Sequence, residues 1–307
     1  MRRGGLILSL LLVFCNAAAF AACSRSGFEI MSWNLQTFGH LKPERLAAVR
    51  KAYEAAVSSN VYAIAVQEIA DNKGMETFLA LLPGGTTQWA ASFENSPDRQ
   101  DNGIAYRKEC STVAAEGFLF RDAQGLPDQS KSLHPVRWAR LKTGDLEYTL
   151  LSLHLTFQRG DASQSARELG FILDWTVSKM SAPVPERNFI IAGDFNLPTR
   201  KGKELSKRAK EKKWLPLEPL FKTNGAGALA VFVDEPTSRP HKQPYNNYDH
   251  FIVSPALAGS VAKAGRLPIE HVDKADHNST AMVSDHYPVM LRLEFSTAAV
   301  AAAGSAQ

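Results

Sequence analysis

The chain has 307 residues, of which 45% are hydrophobic and 21% are charged. This composition is that of an ordinary globular protein with enough apolar side chains for a sizeable core. It excludes a peptide, a small disulfide-stapled scaffold, wholesale disorder and a polytopic membrane protein. The formal charge of +4 comes from 35 Lys and Arg residues against 31 Asp and Glu residues. That charge is lower than in proteins that package nucleic acid, and it identifies no partner by itself.

The N-terminal segment predicts an export signal over residues 1–22. It begins with Arg2 and Arg3, continues with an apolar run from Leu6 to Phe14, and ends in small residues suited to cleavage. A membrane-spanning helix is the weaker interpretation, because it needs ~20 apolar residues and Asn16 interrupts this run. No other segment of the sequence is long and apolar enough to span. We therefore expect a periplasmic or extracellular protein without a transmembrane anchor, with a mature charge of +2 from 33 bases and 31 acids.

Maturation leaves two cysteines, Cys23 and Cys110, because Cys15 lies within the signal. The two can form a single disulfide in an oxidising compartment. Alternatively, Phe20-Ala21-Ala22-Cys23 resembles a bacterial lipobox, in which Cys23 would become a lipidated first residue that anchors the protein to a membrane. Soluble export is favoured, because a lipobox prefers an aliphatic residue at the position of Phe20 and Ala19-Phe20-Ala21 is an ordinary cleavage site.

Beyond the signal, apolar stretches of strand length alternate with longer stretches of helical period, which is typical of an α/β or α+β domain. Short apolar runs predict strands at Phe28–Trp33, Val61–Val66, Val136–Lys142, Leu146–Leu155 and Phe189–Ala192. Apolar residues three or four apart predict helices over Glu44–Val57 and Ser165–Met180. No repeat or change in composition divides the chain, so we predict one domain over residues 23–295 and a loose tail over 296–307.

Polar side chains that can bind a metal or a phosphate lie at the ends of these apolar runs in six places. They are Asn34, Gln67-Glu68, His154, Asp194 with Asn196, Asp249-His250 and Asp285-His286. Ligand and catalytic groups of α/β folds collect where strands end and loops begin. A single Asp, Asn or His at such a place is usually a turn former, a helix cap or a satisfied core group. Six such places together favour a functional site, because capping alone has no reason to select this set.

These pieces resemble the endonuclease/exonuclease/phosphatase superfamily typified by deoxyribonuclease I. The matching motifs, in the family's order, are Trp33-Asn34-Leu35, Gln67-Glu68, Ser152-Leu153-His154, Gly193-Asp194-Phe195-Asn196, Tyr248-Asp249-His250 and Ser284-Asp285-His286-Tyr287-Pro288-Val289. They span nearly the whole mature domain, and the run from Asn34 to Gly39 is most similar to the deoxyribonuclease I branch. The resemblance implies a four-layered sandwich, in which two mixed β-sheets pack face to face with helices outside and the site at one edge.

Hydrolysis of a phosphodiester needs a hard cation, a base for the attacking water and donors for the phosphate oxygens. Oxygen ligands without a thiolate suit Mg²⁺, Mn²⁺ or Ca²⁺ rather than zinc. The resemblance implies that Glu68 is the principal metal ligand and that Asn34 and Asp285 complete or support its shell.

The resemblance also implies the catalytic roles. Asp194 would orient or deprotonate the water, and Asn196 would hold the water and a phosphate oxygen. His286, oriented by Asp249, and His154 would contact the phosphate and share acid–base work, as an Asp–His pair permits.

The sequence departs from deoxyribonuclease I at three places. Residues 99–106 contain no Glu to pair with His154, which leaves Asp98 and Asp101 as alternatives. The Arg that reaches the minor groove is absent, since Ile69-Ala70-Asp71 follows the metal-binding Glu. His134 and Arg137 are the alternatives for a phosphate-binding Arg of the middle strand.

A basic stripe over Arg200–Lys213 contains eight Lys or Arg residues and two Glu residues. It follows the Gly193–Asn196 motif closely, so we expect Lys207, Arg208 and Lys210 to contact substrate phosphates. The alternative is a solvated helix face. Without this stripe, the rest of the mature chain has a charge of −4.

The sequence thus predicts an exported, divalent-metal-dependent nuclease that hydrolyses DNA, with RNA left open, and that acts as a monomer without a stable protein partner. The alternatives are a phosphatase or phospholipid phosphodiesterase of the same fold, or a noncatalytic binding protein. Inositol phosphatases have an Arg shortly after the Gly-Asp-x-Asn motif, whereas this chain has Leu197-Pro198. The intact set of polar residues argues against a noncatalytic protein.

Overall fold

The structure is a computed structural model. It describes Cys23 and residues 26–39, 42–97, 100–157, 162–199, 217, 220–221, 226, 229–233, 235–238, 247–267 and 283–295. The predicted signal over 1–22, the tail over 296–307 and the basic stripe with Lys207, Arg208 and Lys210 lie outside the described residues. Across the described ranges, no helix is long and apolar enough to cross a membrane.

The first of two six-stranded sheets has the strand order β11-β12-β1-β2-β4-β3. Its strands are β1 (Gly27–Phe38), β2 (Val61–Ile69), β3 (Trp89–Ser92), β4 (Asp101–Arg107), β11 (Val261–Arg266) and β12 (Val289–Glu294). β1 and β2 are parallel, and the other neighbours are antiparallel. The central pair is buried on both faces, as expected for parallel strands with unbroken apolar runs.

The second sheet has the order β5-β6-β7-β8-β10-β9. Its strands are β5 (Ser111–Phe118), β6 (Arg137–Thr143), β7 (Leu146–His154), β8 (Phe189–Asp194), β9 (Ala230–Phe232) and β10 (Asp249–Val253). Only β7 and β8 form a parallel pair among these described strands. The predicted hairpin between β6 and β7 is present, with Gly144 at φ 59° in its turn.

Helices cover the outer faces of both sheets. They are α1 (Pro43–Ala56) and α2 (Asn72–Leu81) on the first sheet and α4 (Ser163–Met180) on the second. The short helices α3 (Gly85–Gln88) and α5 (Pro255–Ala258) are single turns, and Leu257 of α5 packs in the core between the sheets. Tyr53 of α1 packs edge-on against Trp33 of β1, and Leu169 of α4 packs in the core outside the second sheet. A third core lies between the sheets and includes Ile30 and Leu150. The predicted four-layered α/β sandwich is confirmed.

The sandwich brings the ends of strands from both sheets to one edge. Asn34 of β1 donates to Asp194 of β8 at 3.1 Å. One layer deeper, the amide of Gln67 donates to the Ser152 hydroxyl at 3.0 Å, and that hydroxyl donates to the Val66 carbonyl. These contacts join the sheets through polar groups where the apolar core ends, so this edge is the place for a polar site.

Cys23 and Cys110 form a disulfide that spans 87 positions of the sequence. It links the segment before β1 covalently to the turn between β4 and β5. Lipidation of Cys23 would consume the same sulfur, so the disulfide and a lipid anchor exclude each other in one molecule. The structure therefore pairs the two cysteines with each other.

We predict that Cys110→Ser destabilises the protein by up to about 4 kcal/mol, because closing so long a loop restricts the unfolded chain. Urea unfolding with and without reductant measures the effect, and the variant lacking both cysteines should not respond to reductant. An intact mass that includes a lipid on Cys23, or an unfolding midpoint that reductant leaves unchanged, would contradict the disulfide.

Candidate active site

One half of the site lies at the ends of β1 and β2. Asn34 donates to Glu68 Oε1 at 2.9 Å, and Glu68 Oε2 accepts from the Thr37 backbone N–H at 2.9 Å and from its hydroxyl at 3.2 Å. The pairing register shifts after Asn34 in β1 and next to Glu68 in β2. Such irregularities redirect side chains at strand ends. They bring the Asn34 amide and the Glu68 carboxylate together beside solvent.

The same strand ends have a strained backbone. Gln36, Thr37 and Glu68 have φ values of 52°, 55° and 63°, which non-glycine residues rarely adopt. Strain of this kind costs about 1–3 kcal/mol per residue and persists only where the surroundings impose it. Packing of the parallel pair therefore supports the conformation that presents Glu68.

Arg45 of α1 stabilises this half of the site through hydrogen bonds to backbone carbonyls. Its guanidinium donates to the carbonyls of Leu35 and Gln36 at 2.6 and 2.7 Å and approaches that of Val283 at 3.5 Å. The Ser284 hydroxyl donates to the Asn34 carbonyl at 2.6 Å, which ties the segment with Asp285 to β1. The sequence did not indicate this role, because an Arg near the start of an amphipathic helix is usually solvated.

The other half of the site is an Asp–His pair that faces a second carboxylate. β10 pairs with β8 so that Asp249 lies opposite Asp194. The Nδ1 of His286 donates to Asp249 Oδ2 at 2.8 Å, and its Nε2 lies 3.4 Å from Asp194 Oδ2. The Trp33 indole N–H donates to the His286 carbonyl at 3.0 Å. Both ring nitrogens of His286 thus lie against carboxylates.

His286 and Asp194 shift each other's pKa values. Burial alone lowers the pKa of His286, but the carboxylates of Asp249, Asp194 and Asp285 outweigh it and raise that pKa well above its ordinary value. Burial raises the pKa of Asp194 to about 7, against the opposing charge of His286. A carboxylate with a pKa near neutrality can accept a proton in the reaction and release it afterwards.

His154 lies between the two halves. It ends β7 opposite Asp194, with Nε2 at 3.8 Å from Asp194 Oδ2 and Nδ1 at 3.9 Å from Glu68 Oε1. Its ring stacks on that of His134, with centroids 4.6 Å apart and planes within 11°. Asp101, one of the predicted partners of His154, accepts instead from the backbone and hydroxyl of Ser96. The other, Asp98, lies outside the described residues.

The Gly193–Asn196 motif is explained by its backbone. Gly193 has φ 148°, and a Cβ there would collide with the Leu153 carbonyl of the parallel strand. Asn196 has φ 47°, its N–H donates to Asp194 Oδ1 at 2.9 Å, and its side-chain amide donates to the Leu155 carbonyl at 2.8 Å. Asn196 therefore fixes both Asp194 and the chain beyond His154.

The structure brings eight of the predicted site residues to one sheet edge. They are Asn34, Glu68, His154, Asp194, Asn196, Asp249, Asp285 and His286. Arg137 is different, because its buried guanidinium contacts Ser92 at 2.9 Å, Glu94 at 3.1 Å and Glu116 at 3.3 Å. These contacts assign it to a structural ion-pair network and give no support to a role in substrate binding.

A divalent cation fits the chemistry of this edge. Glu68 and Asp285 offer carboxylate oxygens, the donors that hard cations prefer. The Asn34 amide nitrogen donates to Glu68 and Asp194, and its oxygen accepts from the Gln36 N–H at 3.0 Å, so Asn34 orients these carboxylates. A second group consists of Asp194, Asp249 and His286, whose ligand atoms lie within 4.8 Å of one another. Asp249 Oδ1 in that group is buried without a hydrogen-bond partner. The donor chemistry is compatible with a cation at either group, and it does not identify the ion.

The fold and this edge together define a class, the phosphoester hydrolases with an α/β sandwich and a metal-assisted site. A model of the Endonuclease/Exonuclease/phosphatase family matches residues 31–286. The chain belongs to that family, as the sequence motifs predicted, and is a hydrolase of phosphodiesters or phosphate monoesters.

Solved structures of this fold include enzymes with different substrates. The mannosyl-6-phosphatase of Bacteroides thetaiotaomicron is 17% identical with a TM-score of 0.59, over 87% of this chain and 100% of that one. D. rerio TDP2 complexed with a single-strand DNA product is 15% identical with a TM-score of 0.59, over 88% and 100%. No curated protein sequence matches the chain. At these identities the likeness is one of fold. The substrate therefore has to be inferred from the residues of the site.

We predict that Glu68→Gln lowers kcat/KM at least ~100-fold, because the neutral amide cannot neutralise a cation and cannot accept from Asn34 on one side and Thr37 on the other. Thermal unfolding should change little. Glu76→Gln, which removes the same charge from the exposed face of α2, is the matched control. A Glu68→Gln enzyme with wild-type activity would exclude Glu68 as a metal ligand.

Asp194→Asn should reduce kcat at least ~100-fold, and its thermal midpoint in EDTA should rise relative to that of the wild type as the pH rises. The comparison is made across pH because the Asn NH₂ must face one of two donors, Asn34 or the Asn196 N–H, at every pH. The raised pKa means that folding disfavours the charged carboxylate, so a neutral isostere removes that cost. The gain should grow as the pH rises from the ordinary pKa of 3.8 to about 7 and stay constant above it.

Asp174→Asn on the exposed side of α4 is the control for Asp194→Asn and should change neither quantity. A midpoint of Asp194→Asn that falls relative to the wild type as the pH rises to about 7 would mean that the charged form stabilises the fold.

Proposed function

We propose that the protein is an exported, divalent-metal-dependent nuclease that hydrolyses phosphodiester bonds of DNA, with RNA as the open alternative substrate. The supporting observation is that one carboxylate oxygen joins all parts of the site. Asp194 Oδ2 lies 3.1 Å from Asn34, 3.4 Å from His286 and 3.8 Å from His154. A base next to the metal-ligand candidates and between two imidazoles is suited to deliver water to a phosphate.

Each group of site residues has its own role in the proposed reaction. A cation held by Glu68 and Asp285, with Asn34 supporting Glu68 through its hydrogen bond, would neutralise phosphate charge and stabilise the leaving oxygen. Asp194, with its pKa near 7, takes the proton of the attacking water. His286 carries a proton at neutral pH and donates from Nε2 to a phosphate oxygen, while Asp249 holds its Nδ1.

An aromatic pair beside the site, with Phe157 exposed and Tyr248 partly buried, favours nucleic acid over a sugar phosphate. Phe157 follows His154 by three residues and is 55% exposed, and its ring lies 6.5 Å from that of Tyr248, which precedes Asp249. The Tyr248 carbonyl accepts from the Phe195 N–H at 2.8 Å, so its backbone is held by the motif that contains Asp194. Stacking of a base on an aromatic side chain contributes about 1–3 kcal/mol. Sugar and inositol phosphates have no planar ring to stack.

Export is supported by the N-terminal segment and by the disulfide. Residues 1–22 have the basic start, apolar run and small-residue end of a signal. The Cys23–Cys110 disulfide is of the kind that persists in oxidising compartments. The basic stripe of residues 200–213 also suits a polyanion, although it rests on sequence alone.

The decisive assay incubates the mature chain with plasmid DNA, RNA, sphingomyelin, inositol phosphates and mannose 6-phosphate, each with Mg²⁺, Mn²⁺, Ca²⁺ or EDTA. We expect cleavage of DNA that needs a divalent ion and stops in EDTA. Glu68→Gln protein purified in parallel is the control for a contaminating nuclease. Release of phosphate from monoesters without cleavage of any nucleic acid would refute the proposal and favour the phosphatase alternative.

Phe157→Ala should raise KM for a single-stranded oligonucleotide about 10-fold, because it removes a base-stacking surface. Leu126→Ala, which removes another exposed apolar side chain, should leave KM unchanged. An oligonucleotide that lacks bases on both sides of the scissile phosphate should be cleaved equally by wild type and Phe157→Ala. A KM that the Phe157 variant raises equally on both oligonucleotides would exclude stacking.

A further inference from the structure

We propose that Glu168 of α4 is a positioning residue for His154, the histidine at the end of β7. The Glu168 carboxylate accepts hydrogen bonds from the chain directly after His154 and from the loop of His134, whose ring stacks on that of His154. This inference rests on the proposed function, because it takes His154 as a residue that contacts the substrate phosphate. It does not require the substrate to be DNA.

Glu168 is fully buried, and its hydrogen bonds within the described residues satisfy both carboxylate oxygens. Its Oε2 accepts from the Thr156 N–H at 2.9 Å. Its Oε1 accepts from the Thr156 hydroxyl at 2.6 Å, the Gln164 amide at 3.0 Å and the Leu133 N–H at 3.2 Å. A carboxylate has two oxygens that accept and no hydrogen to donate, so it can serve all of these donors where an amide cannot.

The first reason for a positioning role is that the chain leaves the second sheet directly after His154, where β7 ends. The Leu155 N–H still donates to the Asp194 carbonyl of β8 at 2.9 Å. At Thr156 the partners are side chains of α4 instead, because Glu168 accepts from its N–H and the Ser165 hydroxyl donates to its carbonyl at 2.6 Å. Contacts with α4 thus set the direction in which the chain leaves His154.

The second reason is that the same carboxylate binds the loop before β6. The Leu133 N–H donates to Glu168, and the next residue is His134, whose buried ring lies 4.6 Å from the His154 ring and within 11° of parallel to it. The His134 ring covers one face of the His154 ring and limits its rotation. Glu168 therefore restrains His154 in two ways, through its own strand and through the ring packed against it.

Helix capping does not explain these contacts. Glu168 lies beyond the first turn of α4, and among the described residues no backbone N–H of α4 donates to its carboxylate. A buried carboxylate costs free energy that an apolar side chain would avoid, and replacing buried charged groups by apolar ones is often stabilising. Here the cost is offset by donors from the two segments beside His154, which favours positioning over packing as the role of Glu168.

Glu168→Gln is the first test, because the new NH₂ group must face one of the donors. We expect kcat to fall about 10- to 100-fold, since displacing a catalytic group by about 1 Å can cost a factor of ~100. The substrate is DNA or whichever phosphoester of the assay panel is hydrolysed, and each variant is assayed well below its thermal midpoint. Glu186→Gln is the matched control, because Glu186 accepts from the Thr149 hydroxyl at 3.1 Å in the same strand but away from the site.

Two substitutions of Thr156 separate positioning from packing and keep the test decisive if Glu168→Gln does not fold. Thr156→Val keeps the shape but removes the hydroxyl donor, and it should lower kcat about 3- to 10-fold. Thr156→Ser keeps the donor and should retain most of the activity. A packing role predicts the opposite order, because Val fills the space of Thr and Ser leaves a small cavity.

The ¹H–¹⁵N signals of the His154 ring provide a readout that does not depend on turnover. They should shift in Glu168→Gln and Thr156→Val and stay in place in Thr156→Ser and Glu186→Gln. If no phosphoester is hydrolysed but the ring signals follow this pattern, the proposed function fails and the positioning contact stands. If kcat and the ring signals of Glu168→Gln match those of the wild type, or if Thr156→Ser loses more activity than Thr156→Val, the inference is overturned.

Discussion

The site depends on one buried carboxylate between the two sheets. Asp194 ends β8 in the second sheet, and Asn34 at the end of β1 in the first sheet donates to its Oδ2 at 3.1 Å. The same oxygen lies 3.4 Å from His286, so the contact that joins the sheets also joins the metal-ligand candidates to the Asp–His pair. Burial raises the pKa of Asp194 to about 7. The apolar core between the sheets must therefore compensate for holding a charge that water would solvate better.

Backbone strain concentrates at the same edge. Five non-glycine residues with positive φ lie in the described part of the chain, and Gln36, Thr37, Glu68 and Asn196 among them are at the site. Loops joined to rigid strands can hold such conformations, whereas an isolated loop would relax. Arg45 and Glu168 contribute from the two helical layers, because each binds backbone groups of the segments that present site residues. Both outer layers thus support the edge as well as cover the core.

The sequence predicted the elements whose signal is local. β1, β2, β7, β8, α1 and α4 have strong apolar runs or helical periods, and the polar residues that follow the central strands were recognised as a set. β3 and β9 were not predicted because they are short, and β5 and β11 because they are partly exposed and lack a clear alternation. The stack of His134 on His154 joins residues 20 positions apart through a loop and a hairpin. Only the tertiary structure shows such a contact, and the same holds for the bonds from Arg45 and Glu168.

The negative charge of the carboxyl groups at this edge explains why a cation and the substrate would bind together. Glu68, Asp194, Asp249 and Asp285 place four carboxyl groups where a negatively charged phosphoester has to bind, and like charges repel strongly at short range in a partly buried site. A proton on His286 offsets one of them, since its raised pKa keeps the ring charged at neutral pH. A divalent cation and hydrogen-bond donors such as the histidines must offset the rest. An edge with this charge binds a phosphoester weakly by itself, so under the proposed mechanism metal loading would set substrate affinity as well as the rate of the chemical step.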